Sequence, residues 1–166
     1  MFHKDVPLRC LSDRPTFDLM FAEFLKLLTA VEPAPLSDDD ARLALTALLV
    51  RIARTDGEYS EKEANKISQI IVHRYGLETL DATSLRTAAE TLESEAPDTV
   101  RFTRAIKIAV PHEDRIAVIE AMWQVVLADG FRDAEEDALV RLASNLLGIS
   151  DRDSALARQR VTSAGE

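Results

Sequence analysis

The sequence predicts an all-α protein, a single bundle of about seven to eight helices. Three observations support this class. Only 5 Gly and 6 Pro interrupt 166 residues, and Ala, Leu, Arg and Glu, which lose little side-chain freedom in a helix, are abundant. Apolar residues recur at i, i+3, i+4 and i+7 in several segments. At 46% hydrophobic residues, the chain can bury one well-formed core.

The amino-terminal segment divides near Met20. Residues 1–19 contain two prolines and little periodicity, so we expect a poorly patterned extension that is loosely attached or arises from an upstream start codon. "MFAEFLKLLTAV" then has an amphipathic pattern, and a helix is predicted at about 16–31 with Thr16 as its cap. Its apolar stripe is expected to face the core, with a membrane surface or a partner groove as the alternative. The helical domain is predicted to span 20–166.

Two segments of the chain share one pattern. "RIARTDGEYSEKEANKI" begins at Arg51 and "QVVLADGFRDAEEDALV" begins at Gln124, and their aspartates lie 73 positions apart (129 − 56). In each copy an apolar helix precedes the Asp-Gly pair, a second helix follows it, and a glycine ends that helix. The sequence therefore predicts two pseudo-symmetric helical hairpins, at about 38–77 and 112–149.

Three further helices complete the predicted bundle. They are expected at about 80–94, 98–109 and 150–163, with Asp98 and Ser150 as the caps of the last two.

The two Asp-Gly turns, called the DG turns below, follow the rules of helix capping in most positions. Gly57 and Gly130 lie where the chain must turn, and glycine enters left-handed conformations without a Cβ penalty. The motifs "SEKE" and "DAEE" predict capping boxes, formed by Ser60 with Glu63 and by Asp133 with Glu136. A purely structural scaffold with no ligand is one interpretation of these residues.

Asp56 and Asp129 do not fit that interpretation, because each follows the carboxyl end of a helix. The helix dipole disfavours an anion there by about 0.3 to 1 kcal/mol. Three sources of compensation remain open. They are backbone N–H groups at the start of the following helix, an arginine such as Arg54 or Arg132, and a bound cation.

The DG turns also share part of a calcium-loop pattern. With Gly57 at position six of a twelve-residue loop, Asp56 and Glu63 fall at positions five and twelve. Positions one and three are Ile52 and Arg54, which cannot supply the required carboxylates, so this is not an EF-hand.

If the hairpins meet, their carboxylates can share one or two hard cations, Ca²⁺ or Mg²⁺. The predicted ligands are Asp56, Glu63, Asp129 and Glu136. Glu58 and Asp133 are predicted as accessory ligands or as part of a partner surface.

The paired segments "ARTDGEYSEKE" and "VLADGFRDAEED" resemble the TerB-like family, which includes the tellurite-resistance protein TerB and the amino-terminal domain of a membrane-anchored DnaJ-type co-chaperone. The resemblance covers roughly Met20 to Ser150. It implies a bundle of seven or eight helices with pseudo-two-fold symmetry, whose acidic metal-binding patch transfers to the four carboxylates above. Family members are associated with bacterial stress responses, phage defence and membrane-linked complexes, and no enzymatic reaction is attached to the domain.

Composition limits the function further. A net charge of −9 repels phosphate backbones, so nucleic acid is not expected as a partner. One cysteine excludes an intramolecular disulfide framework. There is no transmembrane run of 18 apolar residues and no secretory signal. A cytoplasmic location is expected.

These observations favour a non-enzymatic TerB-like module of a stress or envelope-linked system. It would act through an acidic DG surface on a divalent cation or on a protein partner, with a membrane-associated complex as one option. The rival is a hydrolase or transferase that uses the same carboxylates with Mg²⁺, and it requires a concave pocket.

Overall fold

The structure, a computed structural model, describes residues 38–128, 130 and 133–165. Within these residues it contains seven α-helices, one short 3-10 helix and no strand, which confirms the all-α class. The helices are α1 (Asp38–Ala53), α2 (Glu61–Tyr75), α3 (Thr79–Glu95), α4 (Thr99–Ala109), the 3-10 helix (His112–Asp114), α5 (Arg115–Val126), α6 (Ala134–Leu147) and α7 (Asp151–Ala164). The predicted extension at 1–19 and the predicted helix at 16–31 lie outside the described residues.

Helix α1 is the central helix of the bundle. It contacts α2, α3, α4, α5 and α6, and every residue from Leu43 to Val50 is buried. A helix that is apolar on all sides requires neighbours on all sides. Thr46 is the polar residue of this run, and its hydroxyl donates to the Arg42 carbonyl at 2.7 Å. The buried hydroxyl is therefore satisfied within its own helix.

Helix α5 forms the second apolar element of the core. It contacts α1, α2, α6 and α7, and it buries Ile119, Met122 and Val126. Trp123 also belongs to the core and is only 6% exposed. Its indole N–H donates to the Ser154 Oγ at 3.2 Å, which gives the buried donor a partner on α7.

The helix ends follow the predicted caps. The Asp98 carboxylate accepts from the backbone amides of Val100 and Arg101, and the Ser150 hydroxyl accepts from the Asp153 amide. Gly76 and Gly148 end α2 and α6 in the left-handed conformation, with φ of 62° and 77°. The predicted helices at 80–94, 98–109 and 150–163 are confirmed as α3, α4 and α7. The pseudo-two-fold relation of the hairpins and the domain limit at residue 20 remain predictions.

Candidate functional site

The first DG turn directly follows α1. The Thr55 amide donates to the Ile52 carbonyl and the Gly57 amide to the Arg54 carbonyl, each at 3.1 Å, so the chain tightens as the helix ends. Gly57 then takes the predicted left-handed conformation, with φ of 85°. A Cβ at this position would meet no heavy atom within 4 Å. The backbone conformation, and not a lack of space, therefore requires glycine here.

Asp56 is exposed, and the turn itself compensates its charge. The Asp56 Oδ1 accepts a hydrogen bond from the Glu58 backbone amide at 2.8 Å. Of the three sources of compensation that the sequence leaves open, the structure uses a backbone N–H group. That group belongs to Glu58 in the turn and not to the start of α2. Within the described part of the chain, the Asp56 carboxylate makes no other hydrogen bond or ion pair.

Glu63 has the capping role that the sequence predicts. Its Oε2 accepts from the Ser60 amide at 2.8 Å and from the Ser60 hydroxyl at 2.7 Å. The Glu63 amide in turn donates to the Ser60 Oγ at 3.2 Å. The side chain is buried, with only 4% of its surface exposed. One carboxylate oxygen of this predicted metal ligand thus already serves the start of α2.

The second DG turn is described in part. Gly130 has φ of 81°. The Asp133 Oδ1 caps α6 by accepting from the Glu135 amide at 2.6 Å, and the predicted capping box of Asp133 with Glu136 is not formed. Glu136 is 4% exposed. Asp129 and Arg132 lie outside the described residues, so the four-carboxylate metal site remains a prediction.

No group of three or more His, Cys, Asp or Glu side chains in the described ranges could hold a metal ion.

The described flanks of the two DG turns lie at one end of the bundle. Helix α2, which follows the first turn, packs against α5, which precedes the second. Lys62 in the first turn of α2 and Ala128 just beyond α5 line the same groove. The helix ends that carry the two turns are therefore neighbours.

A cluster of charged side chains, which sequence reasoning missed, connects the end of α1 to α3 and α4. The Glu93 carboxylate, on α3, pairs with Arg54 at 2.8 Å and with Arg51 at 3.4 Å. The Arg51 Nε donates to the Thr99 Oγ1 at 2.7 Å. Arg54 also donates to the Glu90 carbonyl at 3.2 Å. Arg54, one of the proposed compensators of Asp56, therefore pairs with a different carboxylate.

One sequence signal indicates this cluster. Leu85, Ala89 and Leu92 form the buried stripe of α3. Glu93 follows Ala89 by four positions, so it lies on the same face and is buried at 7% exposure. A carboxylate on an apolar helix face requires a cationic partner.

Tyr59 attaches the first DG turn to the same helix. Its hydroxyl donates to the Glu90 Oε1 at 2.7 Å, and the Arg54 guanidinium lies 5.1 Å from its ring centroid. Burial raises the pKa of Tyr59 well above its ordinary value, and the hydrogen bond to the Glu90 carboxylate raises it further. The phenol therefore stays a hydrogen-bond donor at neutral pH, and it holds the turn against α3.

In the part of the chain that the structure describes, no helix combines the length and the apolar character needed to cross a bilayer.

The chain was compared with known proteins. A family model, Tellurite resistance protein TerB, matches residues 42–159. The matched segment runs from α1 into α7 and contains both DG turns. No curated protein and no solved structure matches the chain.

Proposed function

The chain belongs to the Tellurite resistance protein TerB family, and from that premise we propose that it is a non-enzymatic stress-response module of the cytoplasm that binds a protein partner through its acidic DG surface. The DG surface comprises the exposed Asp56 and Glu58 and the half-buried Asp133, together with the predicted member Asp129. Glu63 and Glu136 belong to the same two turns but are buried, each only 4% exposed. The partner that suits it presents arginine or lysine side chains.

The observation that supports this proposal most directly is the state of Asp56. Its carboxylate is exposed, has one hydrogen bond within the described residues, and is followed two positions later by the exposed Glu58. Both carboxylates lie beyond the carboxyl end of α1, where the helix dipole adds negative potential. A cationic side chain of a partner is attracted by both carboxylates and by the negative end of the α1 dipole.

A divalent cation is the second candidate ligand. The Asp56 carboxylate accepts one hydrogen bond within the described residues, so its oxygens can also bind a metal ion. Ca²⁺ takes 6 to 8 oxygen ligands. Asp56 and Glu58 alone are too few, so this candidate needs oxygens from both DG turns. The neighbouring ends of α2 and α5 support that arrangement.

The Mg²⁺-dependent hydrolase or transferase has no such support. None of the described DG-surface carboxylates lines the grooves between α2, α5 and α7 or the pocket beside Trp123.

Affinity capture tests the partner. The full chain, immobilised as bait in extract of the source organism, is compared with Asp56→Asn/Asp129→Asn. We expect the wild type to retain a protein that the double variant loses. Asp114→Asn is the control for loss of a carboxylate outside the DG surface, because Asp114 is exposed and makes no side-chain capping bond. Equal retention by all three proteins contradicts the proposal.

Thermal unfolding with and without Ca²⁺, Mg²⁺, Mn²⁺ or Zn²⁺ separates the cation from the partner. A cation at 100 times its dissociation constant stabilises the folded state by about 2.7 kcal/mol. We expect the shift in the wild type and in Asp114→Asn but not in Asp56→Asn/Asp129→Asn. The same shift in all three proteins, or no shift at millimolar cation, eliminates the cation.

A further inference from the structure

A groove runs along α2 on the side that faces α5. Two adjoining cavities, of about 830 and 580 Å³, share Lys66, Gln69 and Gln124 and form one channel, called the α2–α5 groove below. The carboxyl-terminal end of α7 borders the larger cavity.

The α2–α5 groove is basic in an acidic protein. Lys62, Lys66 and Arg74 line it, together with His73. Glu120 is the one carboxylate among the described lining residues, and Arg160 pairs with it at 2.6 Å. The described part of the groove thus carries three cationic side chains without a compensating acid, while the whole chain has a net charge of −9.

The helix ends that border the α2–α5 groove do not reverse its positive charge. Leu127 and Ala128 follow the carboxyl end of α5, and Ala164 and Gly165 lie at the carboxyl end of α7. Each helix end acts as roughly −0.5 charge, and that effect is confined to the last turn. Two such ends offset about one of the three cationic side chains, so the described groups of the groove remain positive in sum.

Several polar side chains in the groove have no partner among the residues that the structure describes. Lys62, Asn65, Lys66, Gln69 and Gln124 make no hydrogen bond or ion pair in the described residues, although Lys66 and Gln124 are half-buried. A carboxamide both donates and accepts, which matches the N–H and C=O groups of a peptide backbone, whereas a lysine only donates.

We infer that the α2–α5 groove binds an acidic, extended segment of a protein partner. Lys62 and Lys66, one helical turn apart, pair with carboxylates of the segment. Gln69 and Gln124 bond its backbone, and Leu127 and Val161 contact its apolar side chains. Lys62 and Arg74 are twelve positions apart, about 18 Å along the helix, which about six extended residues span. The described lining residues of this site include none of the DG-surface carboxylates, and the inference does not depend on the function proposed for that surface.

The test uses the full chain and a fluorescein-labelled octapeptide of alternating Glu and Leu, with a Lys-for-Glu octapeptide as the opposite probe. Fluorescence anisotropy gives the dissociation constant. We expect Lys62→Glu/Lys66→Glu to raise it about tenfold or more, because like charges replace two ion pairs. Lys62→Gln/Lys66→Gln, which introduces no repulsion, is expected to weaken binding less, about threefold to fivefold.

Arg104→Glu/Lys107→Glu is the matched control. These residues are exposed on α4, make no ion pair among the described residues, and give the same change of net charge. The control is expected to change the dissociation constant less than about twofold at 0.15 M salt, where surface charges are screened over about 8 Å. Helix content by circular dichroism shows whether each variant folds.

Amide chemical shifts locate the bound peptide. Changes on Lys62–Arg74 of α2 and Ala117–Ala128 beside them support the inference, and changes on α4 overturn it.

Three results of the anisotropy experiment also overturn the inference. They are an equal loss of affinity in the groove variant and in the α4 control variant, tight binding of the Lys probe, and no binding at about 1 mM Glu probe. A dimer that Lys62→Glu/Lys66→Glu dissociates overturns it as well, because a second copy then fills the groove. Asp56→Asn/Asp129→Asn is expected to bind the Glu probe normally, which distinguishes failure of the DG surface from failure of the groove.

Discussion

Ser60 connects the first DG turn to the helix that follows it, because its hydroxyl accepts from the Glu63 amide and donates to the Glu63 carboxylate. Ser60→Ala removes both bonds and leaves the Glu63 amide without its cap. We expect the free energy of unfolding to fall by about 1 kcal/mol, as is typical of a lost N-cap. Urea denaturation at pH 7 measures the change.

Ser68→Ala provides the control in the same helix. The Ser68 hydroxyl donates to the Ala64 carbonyl, which is also available to the helix backbone. This variant is expected to change the free energy of unfolding by less than about 0.5 kcal/mol. If Ser60→Ala and Ser68→Ala lower the free energy of unfolding equally, the capping box does not stabilise α2.

Residues whose roles depend on near neighbours in the chain were predictable. Ser60 caps a residue three positions away, and Gly57 adopts the conformation that the end of α1 demands. The destination of Arg54 was not predictable in this way. Its carboxylate partner, Glu93, lies 39 positions further along the chain, and only the packing of α1 against α3 brings them together.

At the scale of elements, Glu93 holds α1 against α3. Its carboxylate is 9% exposed and pairs with Arg51 and Arg54, which are about one-third exposed. Glu93→Gln keeps the shape but leaves two guanidinium groups without an anion. We expect a loss of about 2 kcal/mol in the free energy of unfolding, below the 3 to 5 kcal/mol of a fully buried pair, because water reaches the arginines.

Glu95→Gln is the matched control on the same helix. Glu95 is exposed and makes no ion pair within the described residues, so a change below about 0.5 kcal/mol is expected in the same urea experiment. Hydrogen exchange of the Gly57 amide gives a local measure, since that amide donates to the Arg54 carbonyl. A Glu93→Gln protein as stable as Glu95→Gln would show that the cluster does not hold the two helices together.

Helices α4 and α7 were predictable because their caps, Asp98 and Ser150, are local. Helix α3 has no side-chain cap at its start, and its apolar periodicity alone predicts it. The place of α1 in the bundle was harder to predict. The apolar run from Leu43 to Val50 indicates burial on every side, but the tertiary fold decides which five helices pack around it.

At the scale of the molecule, the net charge does not reveal the main electrostatic feature, which is the basic α2–α5 groove. The net charge of −9 indicates an acidic protein, and the DG surface agrees with it. The basic groove exists because α2 turns Lys62, Lys66 and Arg74 toward α5, an arrangement that requires the tertiary fold. Composition predicts what the whole surface repels, whereas the fold determines where an acidic segment can bind.

The alkaline stability of the whole fold is expected to depend on its two tyrosines, Tyr59 and Tyr75. Burial raises the pKa of both above 10. The folded state therefore favours the neutral phenols, and this stabilisation is present below pH 10 and is lost as pH rises above it. Absorbance at 295 nm during a pH titration should show tyrosinate near pH 10 when the protein is unfolded in urea. For the folded protein in buffer, tyrosinate should form only at higher pH, together with a loss of helix measured by circular dichroism. Tyr59→Phe should lessen the alkaline loss of stability. Ionisation of both tyrosines near pH 10 with helix content unchanged would contradict this account.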